Sequence, residues 1–486
     1  MVRKRRHQKI KETKTEIAEN VDQLLRICAT SPEKNISKAL ETQVEINVIA
    51  EKLRNLELNY VNKSSDPETV NNRRNAATIE RFMNWVTSEG AKLESCEICE
   101  FPGYELGLKV TKDTEFSSLV LAVPRNLILT VKSASNSAFK HLIETDQLLK
   151  GIPTVALSVY LLYEKFKGNS FWKPYLDMLP DSYSTALYFT RDELEELQGS
   201  PTLENALKLN KSIARQFAYF HKLFHVSDDP ASRLMRGKFT YDEYRWAVST
   251  MMTRQNAIPS EDGDHLETAL IPLWDICNHA NGTISTDYNT EAQRIECFAV
   301  KDFKAGEQLF IHYGDRTNAD FFVNGFVYED NVHDGYWLKL GISKSDPLQE
   351  KRNDVLSRLT LEPTDRFFIK KGAEPIDGQL LAFLRIFNMN EEQLDHWLLT
   401  TPLDQLENSK VTIDAELDKK VWKFLQTRLK LLQGLYKTTL QEDVQILKRK
   451  DLSDNRKLAI RMRMTEKRIF EDALKYVNQR IAENGK

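Results

Sequence analysis

Residues 271–316 read IPLWDICNHANGTISTDYNTEAQRIECFAVKDFKAGEQLFIHYGDR, and the fold turns on how this stretch is parsed. Two clusters sit at its ends, Trp274-Asp275-Ile276-Cys277-Asn278-His279 and Ile311-His312-Tyr313-Gly314-Asp315-Arg316. Between them, residues 295–300 alternate apolar and polar side chains, which is strand periodicity. Lys304-Ala305-Gly306-Glu307 reads as a turn, and residues 308–313 resume as a strand. The spacing predicts a short hairpin through which the two clusters meet. Together they offer an amide (Asn278), an imidazole (His279) and a phenol (Tyr313). The competing reading is a sheet edge with ordinary polar residues.

Upstream of this stretch the chain is largely helical. Residues 1–14 are basic and predict a solvated, disordered tail, with a nuclear or nucleic-acid signal as the alternative. Residues 17–30 and 39–61 predict amphipathic helices, and the polar stretch 62–75 predicts a linker. A helix over 78–89 should bury Phe82, Trp85 and Val86 and stop at Gly90. Strand signals begin near Leu93 and include residues 107–110 and 119–124. From about 136 to 253 the pattern is helical, with Phe171-Trp172-Lys173-Pro174-Tyr175 as a packed loop. Downstream, strands return over 254–340, Ser343-Lys344-Ser345-Asp346-Pro347 marks a boundary, and the rest reads as helices.

The 486 residues, 41% hydrophobic and 29% charged, suit two or three globular domains with real cores. A formal net charge of −3 gives no argument for bulk nucleic-acid binding. Five scattered cysteines with no secretory leader point to a reducing compartment, and no run is apolar for long enough to span a bilayer. The cytoplasm is therefore expected, with the nucleus as a second compartment. Cys96 and Cys99 have the spacing of half a zinc site, but no second pair follows, so no metal is expected. His221 and His225 lie one helical turn apart without the Glu of a metalloprotease motif, and read as packing residues. No dinucleotide fingerprint or P-loop is present.

An Asn-His pair followed some thirty residues later by a Gly-Glu turn, a strand and Tyr-Gly resembles the carboxy half of a SET methyltransferase domain. The strings Thr253-Arg254-Gln255-Asn256 and Ile271 to Gly282 are closer still to the branch of that family that methylates a histidine of actin. The likeness runs from about residue 75 to the C-terminus. It implies an α+β class, with a SET β-fold of small sheets and a pseudoknot, a helical insert at about 136–253, and an all-α C-terminal domain. The expected divisions are 1–75 (tail and N-terminal helices), 76–340 (SET domain) and 341–486 (a substrate-binding domain of the Rubisco-methyltransferase type).

The resemblance also implies the cofactor, S-adenosyl-L-methionine. Its expected contacts are Arg74, the turn Tyr104, Glu105 and Leu106, then Arg254, Asp275, Ile276, Cys277, Asn278, His279 and Asn324. Arg254 would pair with the cofactor's carboxylate. In the turn before Gly107, Glu105 stands where the family has a glycine, a costly exchange if the backbone there has φ > 0. Tyr313 would line the methyl-transfer channel. Asn256 would fix the tautomer of a substrate imidazole, and Gln255, Trp274, Ile311 and Arg316 would hold the substrate. Actin in monomeric form is the implied partner and the enzyme is expected to be a monomer. Two alternatives stay open: a protein-lysine methyltransferase of the Rubisco type, and a SET-fold binding protein without catalysis.

Overall fold

The computed structural model describes residues 2–30, 35–61, 73–280, 282 and 284–483. The chain divides into two compact units. One comprises Met1–Tyr188 and Leu207–Gly314, the other Phe189–Ala206 and Asp315–Lys486. The second unit thus claims an 18-residue piece of the expected helical insert, and its main segment begins at Asp315.

The N-terminus differs from the expected tail. Val2–Cys28 is one helix, paired with a second over Ile36–Val61. Ile17, Val21, Leu24 and Cys28 recur at helical spacing on its buried face, against Ile46, Ile49 and Leu53. The basic run therefore continues an amphipathic helix instead of leading into it. The expected linker 62–75 lies outside the described residues as far as 72. Asn75 then caps the helix Ala76–Ser88, its side chain accepting from the Ala77 N–H at 3.0 Å. Phe82 and Val86 of that helix are fully buried, whereas Trp85 is half-buried.

Three small sheets follow in the first unit. In one, the strand Arg294–Ala299 lies between Leu119–Pro124 and Ile284–Asn289. In the next, Gln308–Ile311 pairs antiparallel with Leu106–Val110 and parallel with Asn278–His279. The expected hairpin between 295–300 and 308–313 is absent, because the two strands belong to different sheets. The two clusters meet instead through the parallel pair, with Phe310 opposite Asn278 and Ile311 opposite His279. The third sheet joins Leu129–Thr130, Leu266–Leu270 and Asn256–Pro259. Helices of the insert, chiefly Pro153–Phe166 and Tyr241–Arg254, pack beside these sheets.

The second unit is mostly helical. It is not all-α, since Gly335–Gly341 and Thr364–Lys370 form a two-stranded antiparallel ribbon. Its inner face (Tyr336, Leu338, Leu340, Phe367, Ile369) joins the core built by the helices Gly378–Asn388, Ala415–Gln433 and Asp454–Glu483. The second strand is not evident in the sequence because 364–370 alternates only weakly and sits among helices.

Candidate functional site

Helix Tyr241–Arg254 ends at Arg254 and delivers its guanidinium to the short 3-10 turn Trp274–Ile276. Arg254 Nη1 donates to the Asp275 carbonyl at 2.7 Å and lies 3.3 Å from the Asp275 carboxylate. Tyr175 donates its hydroxyl to the same carboxylate at 2.6 Å. The loop that reads as mere packing in the sequence therefore supplies a partner to the site. Burial pushes the Asp275 carboxyl up, while Arg254 and Tyr175 pull it back. Burial also opposes the charge on Arg254, but Asp275 beside it holds that charge in place.

The turn itself is tightly wound. Leu273, fully buried, has φ +74° and ψ −52°, a γ-turn conformation that stores roughly 1–3 kcal/mol. The N–H groups of Asp275, Ile276 and Cys277 all bond back within the turn, to Ile271, Leu273 and Trp274. Tyr313 closes it from the other cluster, donating its hydroxyl to the Cys277 carbonyl at 2.7 Å. Its N–H bonds His279 Nδ1 at 3.2 Å, with the two rings 5.0 Å apart. This places the proton of neutral His279 on Nε2. Burial raises the Tyr313 phenol well above its ordinary range.

Asn278 donates from Nδ2 to the Leu106 carbonyl at 3.0 Å, tying the clusters to the turn before Gly107. A Cβ on Gly107 would lie 2.8 Å from Asn278 Nδ2, 2.7 Å from Gln308 Nε2 and 3.0 Å from the Phe101 ring. The glycine is required by close approach, and Gln308 Nε2 is buried without a hydrogen-bond partner. Glu105 sits at φ +52°, the left-handed conformation in which glycine costs nothing. Its carboxylate pairs with both Arg73 and Arg74, while its carbonyl accepts from the Phe101 N–H at 2.8 Å. Tyr104 is half-exposed, with its ring 5.5 Å from Phe310.

Arg74 is half-exposed and also pairs with Glu100 at 3.1 Å. Arg73 is the more buried of the two, and besides burial the neighbouring Arg254 disfavours its charge. The sequence favoured Arg74; the structure brings Arg73 towards Arg254. Only burial separates the adjacent arginines, so no sequence signal chose between them. Two guanidinium groups at one end of the turn, the unpartnered Nε of Arg254 and the unpartnered amide of Gln308 suit an anionic group and a polar ligand edge. The residues present thus fit the expected cofactor.

Asn256 is half-buried at the start of its strand, with Oδ1 accepting from the Ala257 N–H at 2.8 Å. Gln255 caps the helix before it. Trp274 and Ile311 are buried, and the Trp274 indole donates to Thr286 at 3.0 Å. Arg316 and Asn324 belong to the second unit. The Arg316 carbonyl accepts from Asn331, and Asn324 caps the helix Asn318–Val323. Cys96 and Cys99 lie three apart on one strand, hence on opposite faces, and all five cysteines are free. His221 and His225 stack at 4.4 Å, and burial lowers His221 to about 3.

We expect Gly107→Ala to displace the Asn278 and Gln308 amides. Losing one such hydrogen bond, about 1 kcal/mol, should weaken S-adenosylmethionine binding roughly fivefold, measured by calorimetry. Unchanged affinity would remove this turn from the site.

The SET domain family matches residues 105–314, and the Rubisco LSMT substrate-binding family matches 343–470. The chain is 41% identical over 469 residues to the actin-histidine N-methyltransferase of Homo sapiens, covering 95% of this chain and 77% of that one. It is 40% identical over 465 residues to the enzyme of the same name from Gallus gallus, with the same coverage. Among solved structures, Rubisco LSMT bound to AdoMet superposes with a TM-score of 0.66 at 22% identity, covering 84% of this chain and 93% of that one. That likeness establishes the fold, and the curated relatives establish the kinship: the chain belongs to the SET-domain family of actin-histidine N-methyltransferases.

Proposed function

We propose that the protein transfers a methyl group from S-adenosylmethionine to the N-tau (tele) nitrogen of a histidine of actin. The reading is carried by one cluster, half-buried to buried, of Arg254, Asp275, Cys277 and Tyr313, in a chain 41% identical to enzymes named for that activity. When bound, the cofactor supplies an activated methyl on a sulfonium. The work left to the protein is to bind, align and exclude water.

Arg73 and Arg254 would hold the cofactor's carboxylate, with Arg74 pairing Glu105 and Glu100 at the rim. Asn278, with Leu106, Tyr104 and the 275–277 turn, would shape the rest of the pocket. Asp275 and Tyr175 keep Arg254 in place. His279 keeps Tyr313 in place through its backbone N–H. The Tyr313 hydroxyl donates a hydrogen bond to the Cys277 carbonyl, so its oxygen keeps lone pairs that would face the reacting centre. Because burial raises its pKa, it stays neutral and does not serve as a base.

An imidazole, with a reference pKa of about 6.5, needs only the correct tautomer near neutral pH. Asn256 Oδ1 accepts one hydrogen bond from Ala257 and keeps a second lone pair. That lone pair would accept the Nδ1 proton of the substrate ring and leave Nε2 bare. Trp274 and Ile311 would wall the ring, with Gln255 at the rim. We place the reaction in the cytoplasm, on monomeric actin and with a monomeric enzyme, consistent with the free cysteines.

The test is mass spectrometry of unmethylated monomeric actin after incubation with the protein and S-adenosylmethionine. One added methyl, mapped to histidine, is expected. In Asn256→Ala the yield should fall roughly tenfold, the loss of about one hydrogen bond of 1.4 kcal/mol. Methyl on lysines instead would support the Rubisco-type alternative.

A further inference from the structure

The outer face of the second unit's ribbon carries an arrangement that the fold does not use. Strand alternation puts Trp337 and Lys339 on that face, with Arg366, Phe368 and Lys370 from the partner strand. The register sets Trp337 directly opposite Phe368 and Lys339 directly opposite Arg366, with Lys370 opposite Gly335. Like charges at directly opposed positions destabilise a sheet. Among the described residues, none of these three cations forms an ion pair with an acidic side chain. The nearest acid along the strand, Asp365, points to the other face and spends its Oδ1 on the Arg366 N–H.

The aromatic pair is equally unspent. Trp337 is 50% exposed, with its ring 4.8 Å from that of Phe368. A Cβ on Gly335 would fall 2.2 Å from the Phe368 ring, so the tip of the ring covers the space over Gly335 on the neighbouring strand. The result is an aromatic shelf with cations on both sides. The core lies behind the ribbon and gains nothing from the shelf, since its own contacts come from Tyr336, Leu338, Phe367 and Ile369.

We propose that this face docks an acidic segment on the surface of the folded protein substrate, with an apolar side chain seated on the Trp337–Phe368 shelf. Trp and Arg are the residues that anchor protein interfaces, and the unneutralised Lys339–Arg366 pair supplies the charge complement. Three cations in one short stripe, flanked by a half-exposed indole, suit a few carboxylates better than the continuous run of phosphates in a nucleic acid. The proposal rests on the reading that the enzyme acts on a protein histidine. It adds that recognition extends beyond the residues around that histidine.

Kinetics on two substrates test it: folded monomeric actin, and a short synthetic peptide carrying the target histidine. In the double variant Lys339→Glu/Arg366→Glu, KM for folded actin should rise roughly tenfold and lose most of its salt dependence. Kinetics on the peptide should stay at the wild-type value. Trp337→Ala should raise KM for folded actin without changing the salt dependence. The milder Lys339→Gln/Arg366→Gln, with a thermal midpoint matching wild type, guards against misfolding and should shift KM in the same direction. Wild-type kinetics on folded actin in all variants would overturn the proposal. So would equal losses on both substrates, or loss of binding to a labelled single-stranded oligonucleotide with actin kinetics intact. A wild-type enzyme that methylates neither substrate would overturn the histidine-transfer reading, and this proposal with it.

Discussion

Tyr313→Phe should lower kcat on actin by about 100-fold, the scale of a small misplacement at the reacting centre. S-adenosylmethionine affinity should change far less. The hydroxyl donates to the Cys277 carbonyl at 2.7 Å, and that bond fixes the ring where the two clusters meet. Phenylalanine keeps the ring but leaves the carbonyl without a donor and removes the lone pairs proposed to face the reacting centre. Stopped-flow single turnover with calorimetric binding separates the two effects, and equal losses in both would exclude a channel role. The pH profile supplies a second check. Activity should fall on the acid side as the substrate imidazole protonates near its reference pKa of about 6.5. It should stay flat on the alkaline side, because Tyr313 titrates well above the ordinary phenol range. A rise continuing towards roughly pH 10 would instead report a lysine nucleophile.

Arg385→Leu should destabilise the second unit by about 3–5 kcal/mol, the cost of breaking a buried ion pair from one side. Arg385 is completely buried and meets the Asp418 carboxylate through two bonds of 2.9 Å. It also donates to the carbonyls of Gln405, Leu406, Asn408 and Val411, at 2.9, 3.0, 3.2 and 2.6 Å. This distinguishes it from a simple buried pair, which well-packed apolar residues can replace without loss. Here Arg385→Met/Asp418→Leu removes the stranded carboxylate but still strips the Leu406 and Val411 carbonyls of their donor, whereas those of Gln405 and Asn408 keep backbone N–H partners. The double variant should therefore stay destabilised, by about 1–3 kcal/mol for a buried group left unmade. Urea titration followed by tryptophan fluorescence reads both changes. Full recovery in the double variant would show that the carbonyl contacts contribute nothing.

The SET kinship was legible in residues 271–316 because it resides in side-chain identity and order. The way the two clusters meet was not. Alternation predicts that 295–300 and 308–313 are strands, but it carries no information about which strand each one joins. The parallel pairing of Asn278–His279 with Gln308–Ile311 is a long-range choice made by packing. The same limit explains Arg73 and Arg74, and it explains Tyr175, whose partner Asp275 is 100 residues away. The N-terminal helix was misjudged for another reason. Charge density at a chain end suggests solvation, yet the apolar stripe from Ile17 to Cys28 is enough to pair it with Ile36–Val61.

The second unit borrows Phe189–Ala206 from far upstream, and that borrowing sets an order of assembly. Glu466 is fully buried, its carboxyl pushed up to about 7, and it accepts from Tyr436, Ser200 and Thr202. Arg463 and Arg456 pair with Glu196, and the Ser453 hydroxyl bonds Glu193. On the ribosome, Ser200 emerges 266 residues before Glu466. At roughly 5–20 residues per second this is an interval of about 13–53 s. The first unit has all its residues once Gly314 is made, while the 189–206 segment cannot make its bonds to Ser453, Arg456, Arg463 and Glu466 until that C-terminal stretch is translated. A fragment starting at Asp315 would never receive it and would keep Tyr436 alone of the three hydroxyls that meet Glu466. The two units are therefore interleaved in sequence, and neither can be exchanged for a homologous unit by a single splice.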